Sequence, residues 1–271
     1  MQSPYIPPKR KTKVVFVQLG SPEAPTPKAL RKYLRKFLGD PRVIDIPAWK
    51  WKIILNCFVL PFRPAKSAKL YERIWDGKSF PLITNTANFT EGVREELKKI
   101  DHEGYVEVNH AFLLSPPYVN EVYDSWEEDL KNNVGATKLM VIPMFPQYSE
   151  STIASGVDAL GQELSKRVKI PTFEVITNFH RTHAFIDNSV TQLDSKVDEL
   201  KKQGIEIDKL VISFHGMQKR RIVFKGDDYY RHCYETYRLI VDRLKQLRPE
   251  QTVMTFQSRF GREEWITPYT E

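Results

Sequence analysis

The chain has 271 residues, of which 41% are hydrophobic and 12% aromatic, and a net charge of +7. That apolar mass excludes a disordered chain and fits one large domain or two of ordinary size. The positive balance suits an anionic small molecule, an acidic membrane surface or a solvated lysine-rich surface; no arginine-rich arm, zinc-finger spacing or RNA-binding aromatic motif points to nucleic acid.

In chain order, residues 13–19 (KVVFVQL) predict a buried strand ending at Gly20-Ser21-Pro22. A helix over 27–38 is stopped by Gly39-Asp40-Pro41. Helices follow over 66–75 and 86–100, the second with Thr86 as its cap. Residues 104–113 predict a strand, 117–131 a helix, 137–143 a strand, 151–166 a helix and 172–176 a strand. The last elements are a helix over 183–202, a strand over 208–214, a helix over 228–247 and a strand over 252–257. These strands are continuous apolar runs, the mark of parallel sheet covered on both faces. The fold class is therefore α/β, in two units that meet near residues 165–180.

Cys57 and Cys233 form no CxxC pair, which argues for a reducing compartment and against a disulfide framework or a cysteine zinc site. The N-terminus has no apolar leader, and the most apolar run, Ile53–Phe62, is far short of the ~18 residues a membrane span needs. The expected location is the cytoplasm.

In parallel α/β sheets, ligands bind beyond the carboxyl ends of the strands. Here those ends carry Leu19-Gly20-Ser21-Pro22, Phe112-Leu113-Leu114-Ser115, Pro143–Ser149, Ser213-Phe214-His215-Gly216 and Thr255-Phe256-Gln257-Ser258. The mixture of Gly, Pro, Ser, Tyr and Phe suits a flat aromatic ligand with a few polar anchors in a cleft between the units. No GxGxxG, GxxxxGK[ST] or GxSxG run is present. His215 is the strongest catalytic candidate: it follows a strand directly, and Gly216 allows a tight turn and close ligand approach. Its imidazole can accept a proton or ligate a metal; the plainer reading is a hydrogen-bonded loop histidine. His180 and His183 flank a helix start and are read as structural, His232 lies in an amphipathic helix, His102 in a turn and His110 in a strand. Asp227 and Asp228 precede a helix and are read as caps.

Four motifs resemble those of the ferrochelatases, which insert ferrous iron into protoporphyrin IX to give protohaem. They are VQLGSPEAPTPKALRKYLRKFLGDPRVI (17–44), PMFPQYSESTIAS (143–155), SFHGMQKRRIVFKGDDYYRHCYET (213–236) and TFQSRFGREEWITPYT (255–270). The resemblance implies two Rossmann-like domains with parallel sheets flanked by helices and a porphyrin cleft between them. They divide as residues 1–165 and 166–271, the second incomplete. It places the central catalytic role, iron ligand or proton acceptor, on His215. The porphyrin-binding candidates are Leu19, Arg63, Leu113, Leu114, Gln147, Tyr148, Ser149 and Ser258, with Arg63 and Lys66 suited to propionates. Residues 46–62 fall where the family has a lip, so Trp49, Trp51, Ile53, Ile54 and Phe58 are expected at a bilayer interface, with Lys50 and Lys52 near headgroups; the alternative is a helix packed on the domain.

The implied partners are protoporphyrin IX and ferrous iron, not nucleic acid, with iron a substrate and no permanent cofactor. The sequence also departs from the family pattern. Family members continue beyond PYT to an acidic residue that faces the histidine; Glu263, Glu264 and Glu271 lie nearby in sequence, but none matches it. Leu113-Leu114 stands where many members carry Arg-Tyr, and Asn88 or Phe89 where they carry Gln. Glu150 replaces a cysteine used by cluster-containing members, so no [2Fe–2S] cluster is expected. The alternative function is a non-catalytic tetrapyrrole- or metal-binding protein on the same fold.

Overall fold

The structure, a computed structural model, describes residues 11–131, 136–259, 261 and 263–270. Residues 1–10, where the sequence predicts no leader, and Phe260, Arg262 and Glu271 of the C-terminal run lie outside the described residues. The chain divides into two compact units, one of Met1–Met144 with Glu150–Thr177, the other of Phe145–Ser149 with Asn178–Glu271.

The first unit is built on a four-stranded parallel sheet, β1 (Lys11–Gln18), β2 (Val106–Phe112), β3 (Ala136–Pro143) and β4 (Thr172–Val175), in the order β2-β1-β3-β4. Alternation along β1 sends Val15 and Val17 to one face and Phe16 to the other, and all three are buried. Val15 and Val17 join Ala111, Leu139 and Val141 against Val122, Tyr123 and Trp126 of α5 (Val119–Lys131) and Leu160 and Leu164 of α6 (Ser155–Leu164). On the opposite face Phe16 meets the edge of Phe89, on α4 (Pro81–Lys98), at 5.1 Å. The apolar runs in the strands thus follow from cover on both faces. Burial of each large side chain contributes about 1.5–3 kcal/mol.

Helix α1 (Pro27–Gly39) begins where Thr26 accepts the Ala29 N–H and Pro27 presets the first turn. Leu30, Tyr33, Leu34 and Leu38 form its buried stripe. Beyond it, Arg42 pairs with Asp158 at 2.7 Å and Asp40 bonds Ser155, which ties the end of α1 to the start of α6.

Several boundaries differ from the sequence reading. Helix α4 starts at Pro81, and Thr86 does not cap it: Thr86 is buried mid-helix and donates to the Leu82 carbonyl. Proline at the first helical position outweighs the later threonine as a start signal. Strand β2 starts at Val106 because the Asp101 carboxylate gathers the Tyr105 and Val106 N–H groups into a turn. The helix expected over 151–166 opens with a wide π-type turn, Glu150–Ala154, before α6.

The second unit holds β5 (Leu210–His215) parallel to β6 (Thr252–Gln257), with α7 (His183–Lys202), α8 (Lys219–Lys225) and α9 (Tyr229–Val241). Met217, Cys233, Met254, Phe256 and Ile266 form one core cluster, and Ile186, Val190 and Ile240 join α7 to α9. Helix α8 is a correction, since the sequence places no helix between the strand over 208–214 and the helix from 228; it closes on Gly226 at φ 68°, a left-handed cap that glycine adopts freely. Phe256 is 2% exposed, so Phe256→Ala is expected to cost about 3–5 kcal/mol, measured as the fall in unfolding free energy in urea.

Candidate functional site

His215 is the last residue of β5 and pairs in register with Gln257, the last of β6. The next backbone N–H, from Gly216, donates to the Gln257 carbonyl at 2.6 Å. A Cβ on Gly216 would lie 2.7 Å from that carbonyl oxygen and 3.1 Å from the Trp265 ring, so only glycine fits this turn. Beyond it the Ile266 N–H donates to Met217 O, and the Lys219 N–H to Glu264 O. The histidine thus stands on a short rigid strand end rather than on a loose loop.

Its ring remains open to solvent, yet protein around it partly desolvates the imidazole and lowers its pKa below the ordinary value of 6.5. Because water still reaches the ring, this is a bias toward the neutral form rather than a lock. A neutral imidazole can bind a metal or accept a proton. Tyr229, the first residue of α9, interacts with the His215 backbone and the Cys233 thiol, and burial pushes both titrating groups up, Cys233 to about 12. The thiol therefore stays protonated and unreactive.

Ser258 follows Gln257 with φ 70°, a left-handed conformation that a non-glycine residue adopts only under constraint. It lies one residue beyond the His215–Gln257 pair. The carboxylates near the PYT motif that are described are engaged by α8: Glu263 by Arg220 and Glu264 by Lys219, each at 2.8 Å. Asp227, 8% exposed, accepts the Tyr229 N–H at 2.9 Å, whereas Asp228 makes no side-chain cap bond and pairs with Arg231. Capping of α9 thus falls to Asp227 alone of the expected pair.

Gln147, Tyr148 and Ser149 also belong to the second unit. Gln147 Nε2 donates to Thr236 Oγ1 at 3.0 Å, and the Tyr148 N–H donates to His232 Nδ1 at 3.1 Å. His180 is buried and structural as expected; it bonds Glu235 at 2.8 Å and stacks on His232 at 3.9 Å.

In the first unit, Leu19, Leu113 and Leu114 come together at the ends of β1 and β2, where the Leu113 and Leu114 N–H groups donate to Gln18 O and Leu19 O. Leu113 packs on the β-sheet cluster and Leu114 on the cluster of Tyr33, Leu34, Leu38, Leu55 and Leu60. Arg63 opens α3 (Arg63–Glu72) and is exposed, as is Lys66 in its first turn. Glu150 lies 3.8 Å from Arg42.

The lip forms α2 (Ala48–Ile54) and a wide turn, Leu55–Val59. Trp49, Ile53, Ile54 and Phe58 are exposed as expected, Trp49 by 64% and Phe58 by 66%. Trp51 is a correction: its indole donates to Leu38 O at 2.6 Å and packs on α1. Two residues along a helix turn the side chain about 200°, so Trp51 faces inward while Trp49 and Ile53 face out. Among the described residues, no helix is long and apolar enough to cross a membrane.

Trp265, Tyr229 and Thr236 are not singled out in the sequence, and Gln257 appears there only as part of a strand end. Gln257 and Trp265 lie inside a quoted motif, but what they touch appears only once β5 and β6 pair.

Taken together, these features define a parallel α/β protein in which an exposed histidine ends a strand beside a turn that only glycine fits. The ferrochelatase family model matches residues 11–271, and the chain belongs to the ferrochelatase family, whose members are porphyrin metal chelatases. It is 39% identical over 258 residues to a ferrochelatase of Idiomarina loihiensis, covering 95% of this chain and 68% of that protein. It is 38% identical to a ferrochelatase of Marinobacter nauticus, covering 95% of this chain and 66% of that protein. A coproporphyrin III ferrochelatase of Streptococcus mutans is 37% identical over 97% of this chain and 77% of its own length.

Proposed function

We infer that the protein inserts Fe²⁺ into protoporphyrin IX to give protohaem, with His215 as the catalytic residue. The observation that carries this reading is the neutral-biased, solvent-reached imidazole at the end of β5, on a backbone held by the Gly216–Gln257 bond. Insertion releases both pyrrole N–H protons as the metal enters, so Fe²⁺ and the free-base porphyrin become the iron porphyrin and two protons. His215 takes one of these protons or holds the incoming metal; one ring nitrogen cannot do both at once. Nitrogen and oxygen ligands suit Fe²⁺, which is here a substrate, and the reaction requires no resident cofactor. Leu19, Leu113, Leu114, Gln147, Tyr148, Ser149 and Ser258 are the residues proposed to contact the macrocycle, and Arg63 to meet a propionate.

The exposed apolar lip supports protoporphyrin, the less polar substrate, and peripheral contact with a membrane of a cytoplasmic protein. Trp49→Ala and Phe58→Ala are expected to weaken co-sedimentation with anionic vesicles several-fold without altering turnover on detergent-dispersed porphyrin.

The test of the function is kcat/KM for anaerobic Fe²⁺ insertion, compared between protoporphyrin IX and coproporphyrin III. Turnover with preference for protoporphyrin is expected. Preference for coproporphyrin overturns the substrate. Porphyrin binding without turnover on either favours a tetrapyrrole carrier, a reading supported by Leu113 and Leu114 where the family resemblance implies Arg-Tyr.

A further inference from the structure

Among the bonds between the loop Phe145–Ser149 and the rest of its unit, three are made unequal by side-chain chemistry. The Pro146 carbonyl accepts the Phe179 N–H at 3.0 Å. Gln147 Nε2 donates to Thr236 Oγ1 at 3.0 Å, and that hydroxyl passes its own proton to the His232 carbonyl at 2.8 Å. The Tyr148 N–H donates to His232 Nδ1 at 3.1 Å. The first two bonds do not titrate. The third exists only while Nδ1 carries no proton, since a backbone N–H can only donate.

His232 and Thr236 lie one turn apart on α9 and present both contacts from one helix face. His232 is 4% exposed and lies against His180, 2% exposed, at 3.9 Å with the rings 18° from parallel. With Nδ1 accepting, the proton of the neutral ring sits on Nε2, so Arg231, 3.3 Å from that nitrogen, opposes any charge on the ring without bonding it. The groups facing the ring are His180 from the segment before α7, and Arg231, Asp228 and Glu235 from α9. The loop itself carries no charged side chain, and its one titratable group is the Tyr148 phenol. Burial first, then His180 and Arg231, lower the His232 pKa, against a smaller opposing pull from Asp228 and Glu235.

We propose that His232 is a positioning residue for the tetrapyrrole site: its neutral Nδ1 fixes the Tyr148 backbone, sets the Gln147–Ser149 loop against the porphyrin, and releases it when the ring takes up a proton. The inference rests on the reading of this loop as a porphyrin contact. It makes porphyrin affinity acid-sensitive through a residue that touches neither porphyrin nor metal.

The experiment combines amide exchange of the segment containing Tyr148 with KM and kcat for protoporphyrin IX, from pH 5 to 8, in the wild type, His232→Phe and His232→Asn. Phenylalanine keeps a ring to stack but has no acceptor; asparagine keeps an acceptor that does not titrate. In the wild type, Tyr148 exchange and KM are expected to rise together on acidification. In His232→Phe both are expected to be raised at every pH, KM by about 5–30-fold for one lost buried hydrogen bond, with kcat changed less than about twofold. His232→Asn is expected to recover most of that loss, with a KM that no longer rises in acid.

An acid rise in KM that persists in His232→Asn overturns the proposal, as does Tyr148 exchange unchanged in His232→Phe. Faster exchange with an unmoved KM overturns it too, while leaving metal insertion by His215 standing. Should the wild type show no turnover at all, the functional reading fails, and porphyrin affinity measured by fluorescence quenching in the same variants decides the role of His232 in its place.

Discussion

His215→Ala is expected to lower kcat for metal insertion by about 10²–10⁴-fold, the range that a positioned proton acceptor contributes, while porphyrin affinity stays within a few-fold of the wild type. The ring is solvent-reached, so its loss leaves no large cavity, and the unfolding midpoint is expected to move little. The acid side of the pH profile follows from the sign of the shift. Desolvation lowers the pKa, so the imidazole stays neutral at pH 7 and activity falls as pH drops through a value below 6.5. The same sign applies to stability. His110, His215 and His232 all titrate lower in the folded chain, where burial leads the causes. The unfolded chain therefore binds more protons in acid, and stability present above pH ~6.5 is lost as pH falls toward the native pKa values.

The second large effect is expected at Gly216. Alanine there sets a methyl 2.7 Å from a backbone carbonyl and 3.1 Å from the Trp265 ring. The carbonyl is the one that holds the Gly216 N–H at 2.6 Å, beside the β5–β6 ladder, so it cannot withdraw alone. Either the turn opens or the end of β6 moves. Overpacking of this kind costs about 1–3 kcal/mol, and a displacement of about 1 Å at a reacting group costs up to 10²-fold in rate. Gly216→Ala is thus expected to lower kcat at least tenfold by insertion assay, with a fall in the urea midpoint. Gly226→Ala is the contrast: a Cβ there meets nothing within 4 Å, and the cost is confined to the left-handed φ of 68° at the end of α8. It is expected to destabilise by about 1 kcal/mol, with kcat much less affected than in Gly216→Ala.

Elements with one dominant local signal were legible before the structure. Helix α7 runs from His183 to Lys202, the span its apolar spacing gives. Strand β6 covers Thr252–Gln257 because an apolar run there follows Arg248-Pro249. Helix α8 was hidden by its charge: the basic run from Lys219 to Arg221 carries no helix signal before the helix expected from 228, although Arg221 is buried and Gly226 marks a helix end. Trp51 is grouped with its exposed neighbours because Trp49 and Trp51 both alternate with lysines in the run; which face turns inward is decided by the Leu38 carbonyl, on another helix.

The site divides in the same way. His215 was legible from a strand, a following glycine and the SFHG motif. Gly216's tolerance of no side chain depends on Gln257 and Trp265, which reach it only through strand pairing. The stacking of His180 on His232, and the bond from Tyr148, join three separate stretches of chain, and no local pattern announces them.

The central claim, that His215 is the catalytic imidazole of metal insertion, is tested most directly by single-turnover kinetics. Protoporphyrin IX is bound first, Fe²⁺ is added anaerobically, and metalloporphyrin absorbance is followed from pH 5 to 8 in the wild type and in His215→Ala. The account requires a wild-type rate that falls in acid with an apparent pKa below 6.5, and a variant that binds porphyrin but metallates it at least 100-fold more slowly without that acid limb. A His215→Ala variant that metallates bound porphyrin at the wild-type rate and with the same pH dependence contradicts it.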